Sequence, residues 1–179
     1  MVDLKNIVLI GMSGTGKTTI GKELSHQLNR EFIDTDILIE NRSGITIDEI
    51  FAKYGEEYFR DLESRIVFEV GNVDDLIIST GGGIILRKKN IIKLREKGIL
   101  ILLESSIENI VKNIFSSTVK RPLINRGRDI FKEVENMYEE RKELYHSAAD
   151  YIVHVDNKSI KNIVYEILEI CDKINSCGK

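Results

Sequence analysis

Tryptophan is absent from this 179-residue chain, proline occurs once and cysteine only twice. A single proline leaves no Pro-rich linker and no polyproline segment, and no Gly/Ser-rich tract stands in for one. The two cysteines, Cys171 and Cys177, lie six positions apart, a spacing that suits neither a CxxC redox pair nor a zinc ligand set. Reduced thiols in a cytoplasmic protein are therefore expected. An excess of one charge is also missing, since 26 Lys and Arg face 29 Asp and Glu for a formal net charge of −3. Such a balance offers no broad attraction for nucleic acid or an anionic membrane, and neither is expected as a partner. Long apolar runs are lacking as well. The N-terminal stretch Ile7–Ile10 stops at Gly11, far short of the ~20 residues of a membrane span and of a signal peptide's apolar region. What remains is 42% hydrophobic and 31% charged, an ordinary globular composition. At this length one core is expected, so residues 1–179 are taken as a single domain and as a monomer.

Short runs rich in Ile, Val and Leu alternate with longer segments of helical period, the rhythm of parallel strands joined by helical crossovers. Strands are expected at Asn6–Ile10, Glu31–Ile33, Leu76–Ser79, Ile99–Leu103 and Tyr151–Val155. Several are continuously apolar, as befits strands covered on both faces. Thr46 with Glu49 and Ser105 with Glu108 read as capping boxes, and Gly98 as the C-cap of a helix over Lys88–Lys97. Further helices are expected over Ile130–Ala149 and from Ser159 to about Asn175. The stretch Phe115–Arg128 fits no regular element. It carries the only proline together with Lys120, Arg121, Arg126 and Arg128, and a long basic loop in a small domain is usually functional.

Gly11-Met-Ser-Gly-Thr-Gly16-Lys17-Thr18 matches G-x-x-x-x-G-K-[ST] directly after an apolar strand and before a helix, the context that pattern requires. Gly11, Gly14 and Gly16 let the backbone turn its N–H groups around a phosphate, and the helix N-terminus adds its dipole. Lys17 is expected to reach the β- and γ-phosphates of ATP, and the Thr18 hydroxyl to bind Mg²⁺. Gly14, Thr15, Gly16 and Thr19 complete the nucleotide-binding set. A guanine-specific Asn-Lys-x-Asp is missing: the nearest approach is Asn157-Lys158-Ser159-Ile160. Strand three ends Ser79-Thr80 without the aspartate of an ordinary Walker B strand. Asp34, at the end of strand two, is then the expected second metal contact.

Five further clusters carry polar groups that fit an acceptor site, and each also has an ordinary structural reading. Asp34-Thr35-Asp36 sits at a strand's C-terminal edge, where ligands bind in open α/β sheets; a solvated turn before an N-capped helix gives the same letters. Arg60 and Glu63, three apart on a helix, equally describe a surface ion pair. Gly81-Gly82-Gly83 either lets a ligand lie against bare backbone or is merely a flexible turn. Arg121-Pro122-Leu123 in the basic loop and Arg141 on a charged helix equally describe solvated charge.

Taken together, the order and spacing of these clusters resemble the shikimate kinases, in the nucleoside-monophosphate-kinase-like group, over about residues 5–165. There the phosphate loop is followed by D-T-D, F-R-x-x-E, G-G-G, R-P-L and R-x-x-L-Y. Here these are Asp34-Thr35-Asp36, Phe59-Arg60 with Glu63, Gly81–Gly83, Arg121-Pro122-Leu123, and Arg141 with Leu144-Tyr145. The resemblance implies an α/β three-layer sandwich of the phosphate-loop NTPase type, with a five-stranded parallel sheet and a mobile lid. It also implies phosphorylation of the 3-hydroxyl of shikimate by ATP, a step of aromatic amino acid biosynthesis. By the same resemblance Asp36, Arg60, Gly82 and Arg141 hold shikimate within a helical region 36–69, with Asp36 orienting the acceptor hydroxyl. Thr18 and Asp34 serve Mg²⁺, Arg121 closes over the phosphates from a lid spanning 115–128, and Lys158 lies beside the nucleotide. Where many relatives have an arginine stacking on adenine, this chain reads Lys112-Asn113-Ile114-Phe115. A gluconate or nucleoside monophosphate kinase would share the phosphate loop but lack the Arg60, Gly82 and Arg141 set, and a nucleotide-dependent switch would lack a use for a lid arginine.

Overall fold

The computed structural model describes residues 5–116 and 130–177, apart from the side chain of Cys177. Five parallel strands, β1 (Asn6–Ile10), β2 (Glu31–Asp34), β3 (Leu76–Ser79), β4 (Gly98–Glu104) and β5 (Tyr151–His154), lie in the order β2-β3-β1-β4-β5. Among the described residues seven helices accompany them: α1 (Lys17–Leu28), α2 (Thr35–Ser43), α3 (Ile47–Val70), α4 (Lys88–Lys97), α5 (Ile107–Ser116), α6 (Ile130–Ala148) and α7 (Ile160–Cys177), with a short 3₁₀ turn at Ile84–Leu86.

Alternate residues of the central strands feed two separate cores. Ile7, Leu9, Ile77, Ile99 and Ile101 pack with Ile20 and Leu24 of α1 and Ile163 and Ile167 of α7. Val8, Ile10, Ile78, Leu100 and Leu102 pack on the other face with residues of α2, α3, α4 and α6. Covering both faces makes every position of β1 and β3 buried, which is why their sequences are apolar without alternation. The edge strands β2 and β5 are more exposed and more polar. Because α1 crosses one face and α4 the other, the chain reverses direction between β1 and β3. The crevice beyond the carboxyl ends of these two strands is the switch point at which open α/β sheets bind ligands.

The sequence-based strand and helix ends agree to within two residues, but two capping assignments change. Thr46 and Glu49 do form a reciprocal capping box at the start of α3. The start of α5 is instead capped by Ser106, whose hydroxyl accepts from the Asn109 N–H at 3.3 Å. Ser105, expected in that role, donates to Asp156 beyond β5 at 2.6 Å, and Asp156 also accepts from the Ser106 N–H at 2.7 Å. A carboxylate brought in by the neighbouring strand outcompetes the local cap. Gly98 does follow α4, but as the first, extended residue of β4 (φ −125°) rather than a left-handed cap. It must be glycine for packing: a Cβ would lie 2.7 Å from the Leu94 carbonyl and 2.8 Å from Val8. Within α3, Gly55 breaks the helical run at φ 82° and ψ 172°, a conformation only glycine takes without strain. The break sets the direction of the second half, which carries Phe59, Arg60 and Glu63.

Candidate functional site

A cleft of about 540 Å³ opens at the switch point, floored by the phosphate loop and walled by Asp34, Asp36 and Gly82 on one side and Asn109, Asn113 and Lys158 on the other. Gly11, Gly14 and Gly16 have φ of 140°, 92° and 90°, so the loop winds through conformations closed to other residues. Gly16 is also the N-cap of α1 and supplies no side-chain acceptor, which leaves the first N–H groups of that helix turned to the cleft. The buried Lys17 ammonium lies inside the loop, 2.8 Å from the carbonyls of both Gly11 and Met12. Thr15 closes the turn by donating to Met12 at 2.9 Å. Thr19, one turn into α1, lines the cleft from an exposed position.

Asp34 caps a helix and still has a carboxylate oxygen for the phosphate-loop side. One carboxylate oxygen caps α2 through the N–H groups of Asp36 and Ile37, at 3.1 and 3.3 Å. The other accepts the Thr18 hydroxyl at 2.7 Å. A hydroxyl and a carboxylate side by side make a hard, all-oxygen donor set, the chemistry that suits Mg²⁺. Among the described residues no group of three or more His, Cys, Asp or Glu side chains is placed to hold a metal by itself.

The acceptor wall gathers segments far apart in sequence. Arg60 is only 8% exposed and Glu63 is fully buried, so the surface ion pair that their spacing allowed is instead a buried one, at 3.0 Å. Glu56 holds the other edge of the guanidinium at 3.2–3.3 Å. Burial pushes the Glu63 carboxyl up to about 6, with Arg60 opposing the rise and the nearby Asp36 adding to it. Opposite lies the glycine loop. A Cβ on Gly81 would press on the Asp36 carboxylate, one on Gly83 would collide with the Arg60 guanidinium, and one on Gly82 would sit 3.1 Å from the Ser13 N–H nitrogen. The glycines therefore let a carboxylate, a guanidinium and the phosphate loop converge on one spot. Arg141 of α6 lies alongside, close enough for its charge to be felt at the Tyr145 hydroxyl.

These distances bring together Lys17, Thr18, Asp34, Asp36, Arg60 and Gly82 as the spacing of the motifs predicted, with Arg141 alongside. Lys158 lines the nucleotide end of the cleft, with its ammonium paired to Glu166 of α7 at 2.5 Å. Arg121 and, apart from Phe115 and Ser116 at the end of α5, the expected lid lie outside the described residues. Several contributors were not foreseen. Asn113 donates to the Gly14 carbonyl at 2.8 Å, so the residue near the expected stacking arginine grips the phosphate loop instead. Asn109 and Asn157 also line the cleft, with no sequence signal that sets them apart from solvated amides.

Residues 13–172 match the family model described as shikimate kinase. The chain belongs to the shikimate kinase family. A shikimate kinase of Caldanaerobacter subterraneus is 43% identical over 171 residues, covering 96% of this chain and 98% of that protein. One from Clostridium beijerinckii is 44% identical over 168 residues, covering 93% and 95%. Among solved structures, the shikimate kinase from Acinetobacter baumannii in complex with shikimate superposes with a TM-score of 0.88 at 32% identity, covering 94% of this chain and 93% of that one. A gluconokinase from Sinorhizobium meliloti matches at a TM-score of 0.59 and 15% identity, a likeness of fold alone. The family's members are kinases, and of the clusters that resembled them in sequence Asp34, Asp36 and Gly82 line the cleft, with Arg60 packed against the glycine loop.

Proposed function

We propose that this protein transfers the γ-phosphoryl group of ATP to the 3-hydroxyl of shikimate, giving 3-phosphoshikimate and ADP, in aromatic amino acid biosynthesis. The observation that carries the reading is the convergence of Asp36 and Arg60 on the glycine loop, whose Gly82 lies against the phosphate loop at Ser13. An anionic polyol needs that combination, and a plain nucleotide-binding module has no use for it.

Phosphoryl transfer asks the protein mainly for alignment and positive field. The loop amides and Lys17 hold the β- and γ-phosphates. Asp36 orients the acceptor hydroxyl and takes its proton as the bond to phosphorus forms. Arg60 and Arg141 hold the shikimate carboxylate, for which a planar guanidinium is suited because it binds two oxygens at once and keeps its charge when buried. Gly82 offers its backbone to the substrate. Thr18 and Asp34 would hold Mg²⁺, which when bound neutralises charge on the β- and γ-oxygens. In this reading residues 36–69 form the substrate-binding region, residues 115–128 a lid from which Arg121 reaches the phosphates, and Lys158 flanks the nucleotide.

A coupled assay for ADP with ATP and, in turn, shikimate, gluconate and nucleoside monophosphates tests the reading. Turnover is expected with shikimate and at most a trace with the others. Preferred use of gluconate or of a nucleotide would replace the proposed acceptor, and turnover with none would leave a binding module. A Mg²⁺ titration of Asp34→Asn, expected to need more metal, checks the assignment of that carboxylate.

A further inference from the structure

Tyr145 is the largest fully buried side chain among the described residues, 1% exposed, and its ring belongs to the core beneath α6. Its oxygen nevertheless does not end in the core. The hydroxyl donates to the Gly82 carbonyl, with Arg141, Arg60 and Glu63 close enough to be felt electrostatically. Three successive glycines have more backbone freedom than any other tripeptide, yet this loop must present Gly82 in one orientation. Its first residue is pinned by the buried Thr35, whose hydroxyl accepts the Gly81 N–H at 3.1 Å. The Gly82 carbonyl has Tyr145. The two tethers come from the middle of the Asp-Thr-Asp motif and the end of the Arg-x-x-Leu-Tyr motif, positions to which no ligand was assigned.

We propose that Tyr145 is a positioning residue for the acceptor: its hydroxyl holds the Gly82 carbonyl, so that the glycine loop presents one prearranged surface to shikimate beside the Arg141 guanidinium. The inference rests on the assignment of Gly82 and Arg141 to the shikimate site. Geometry suits the task. A ring wedged in a close-packed core places its para oxygen with little freedom, and that oxygen has one proton to donate and lone pairs to accept with. Burial, opposed by Arg141, pushes the hydroxyl up to about 12, so it stays a donor throughout the neutral range. Without it the Gly82 carbonyl loses its buried partner.

Tyr145→Phe removes the oxygen and keeps the ring, so the core remains filled. The expected result is a rise of roughly 10-fold in KM for shikimate, as for leaving a buried carbonyl without its hydrogen bond, with KM for ATP changed less than about twofold. A double-mutant cycle separates positioning from general loosening: in an Arg141→Ala background the same Tyr145→Phe step should raise KM for shikimate by about threefold or less, since a substrate no longer anchored by Arg141 gains less from a prearranged Gly82. Unchanged shikimate KM in the single variant, equal losses for ATP and shikimate, or the same factor in both backgrounds would each overturn the proposal while leaving the acceptor site intact. If Arg141→Ala alone left shikimate KM unaltered, the site assignment itself would fall, and this inference with it.

Discussion

On the donor side of the cleft, eight consecutive residues, Gly11 to Thr18, bend the backbone so that its own N–H groups and one lysine face the phosphates. On the acceptor side, Asp36, Arg60, Gly82 and Arg141 come from four separate elements, and two of them are held by buried partners: Glu63 for Arg60 and Tyr145 for Gly82. A backbone cradle is stabilised by local conformation and survives changes elsewhere. A set of charged side chains taken out of water stands or falls with its partners, because each unpaired charge left behind is expensive. The two halves should therefore respond differently to mutation.

The largest effect is expected at the single side chain on which the donor side relies. Lys17→Ala should lower kcat by about 10²-fold or more, as for removal of a group stabilising transition-state charge, while the thermal midpoint stays close to that of the wild type. Near-normal turnover would mean that the loop does not hold the transferred phosphate. On the acceptor side, Arg60→Ala and Arg141→Ala should reduce kcat/KM for shikimate by roughly 30-fold to several thousand-fold, the range for truncating one partner of a desolvated charge pair, with ATP affinity changed far less. Equal losses for both substrates would erase the distinction between the halves. Lysine at either position should recover part of the activity, since charge returns without the fork.

A smaller effect sharpens the contrast through pH. Burial holds the Glu63 carboxyl above its ordinary value, at about 6 rather than 4.5. Between those values the folded chain holds more protons at this site than the unfolded one. The group therefore favours folding most below pH 4.5, and that contribution, about 2 kcal/mol, is lost as pH rises through 6. Glu63→Gln cannot titrate. Denaturation at pH 4.5 and pH 7 should show the stability difference between variant and wild type moving by about that amount in the variant's favour at the higher pH, and a difference independent of pH would show that Arg60 neutralises the burial in full. Smallest of all, Thr46→Ala removes a cap on the exposed end of α3 and should cost about 1 kcal/mol with no change in either KM. A shift in shikimate KM would mean that the whole of α3, and not just the part beyond Gly55, positions Arg60.

The amino-acid order alone carried the strands, the helices and the phosphate loop, since each depends on neighbours within a few positions: apolar runs on a buried sheet, glycines where φ must be positive, a lysine and a threonine at the start of a helix. It also carried the letters of the acceptor motifs, but not which of their two meanings held. Arg60 and Glu63 have the spacing of a surface pair and became a buried one only when α3 packed against the sheet. Asp34 fits a helix cap or a metal ligand, and contact with Thr18 of α1 allowed both. Ser105 lost its capping role to Asp156, fifty-one positions away. Tyr145 closed the Arg-x-x-Leu-Tyr motif with no role of its own, and only the fold brought its hydroxyl to Gly82. In each case the deciding partner is distant in the chain, and no periodicity or local propensity records a contact that forms only when separate elements are brought to the same end of one sheet.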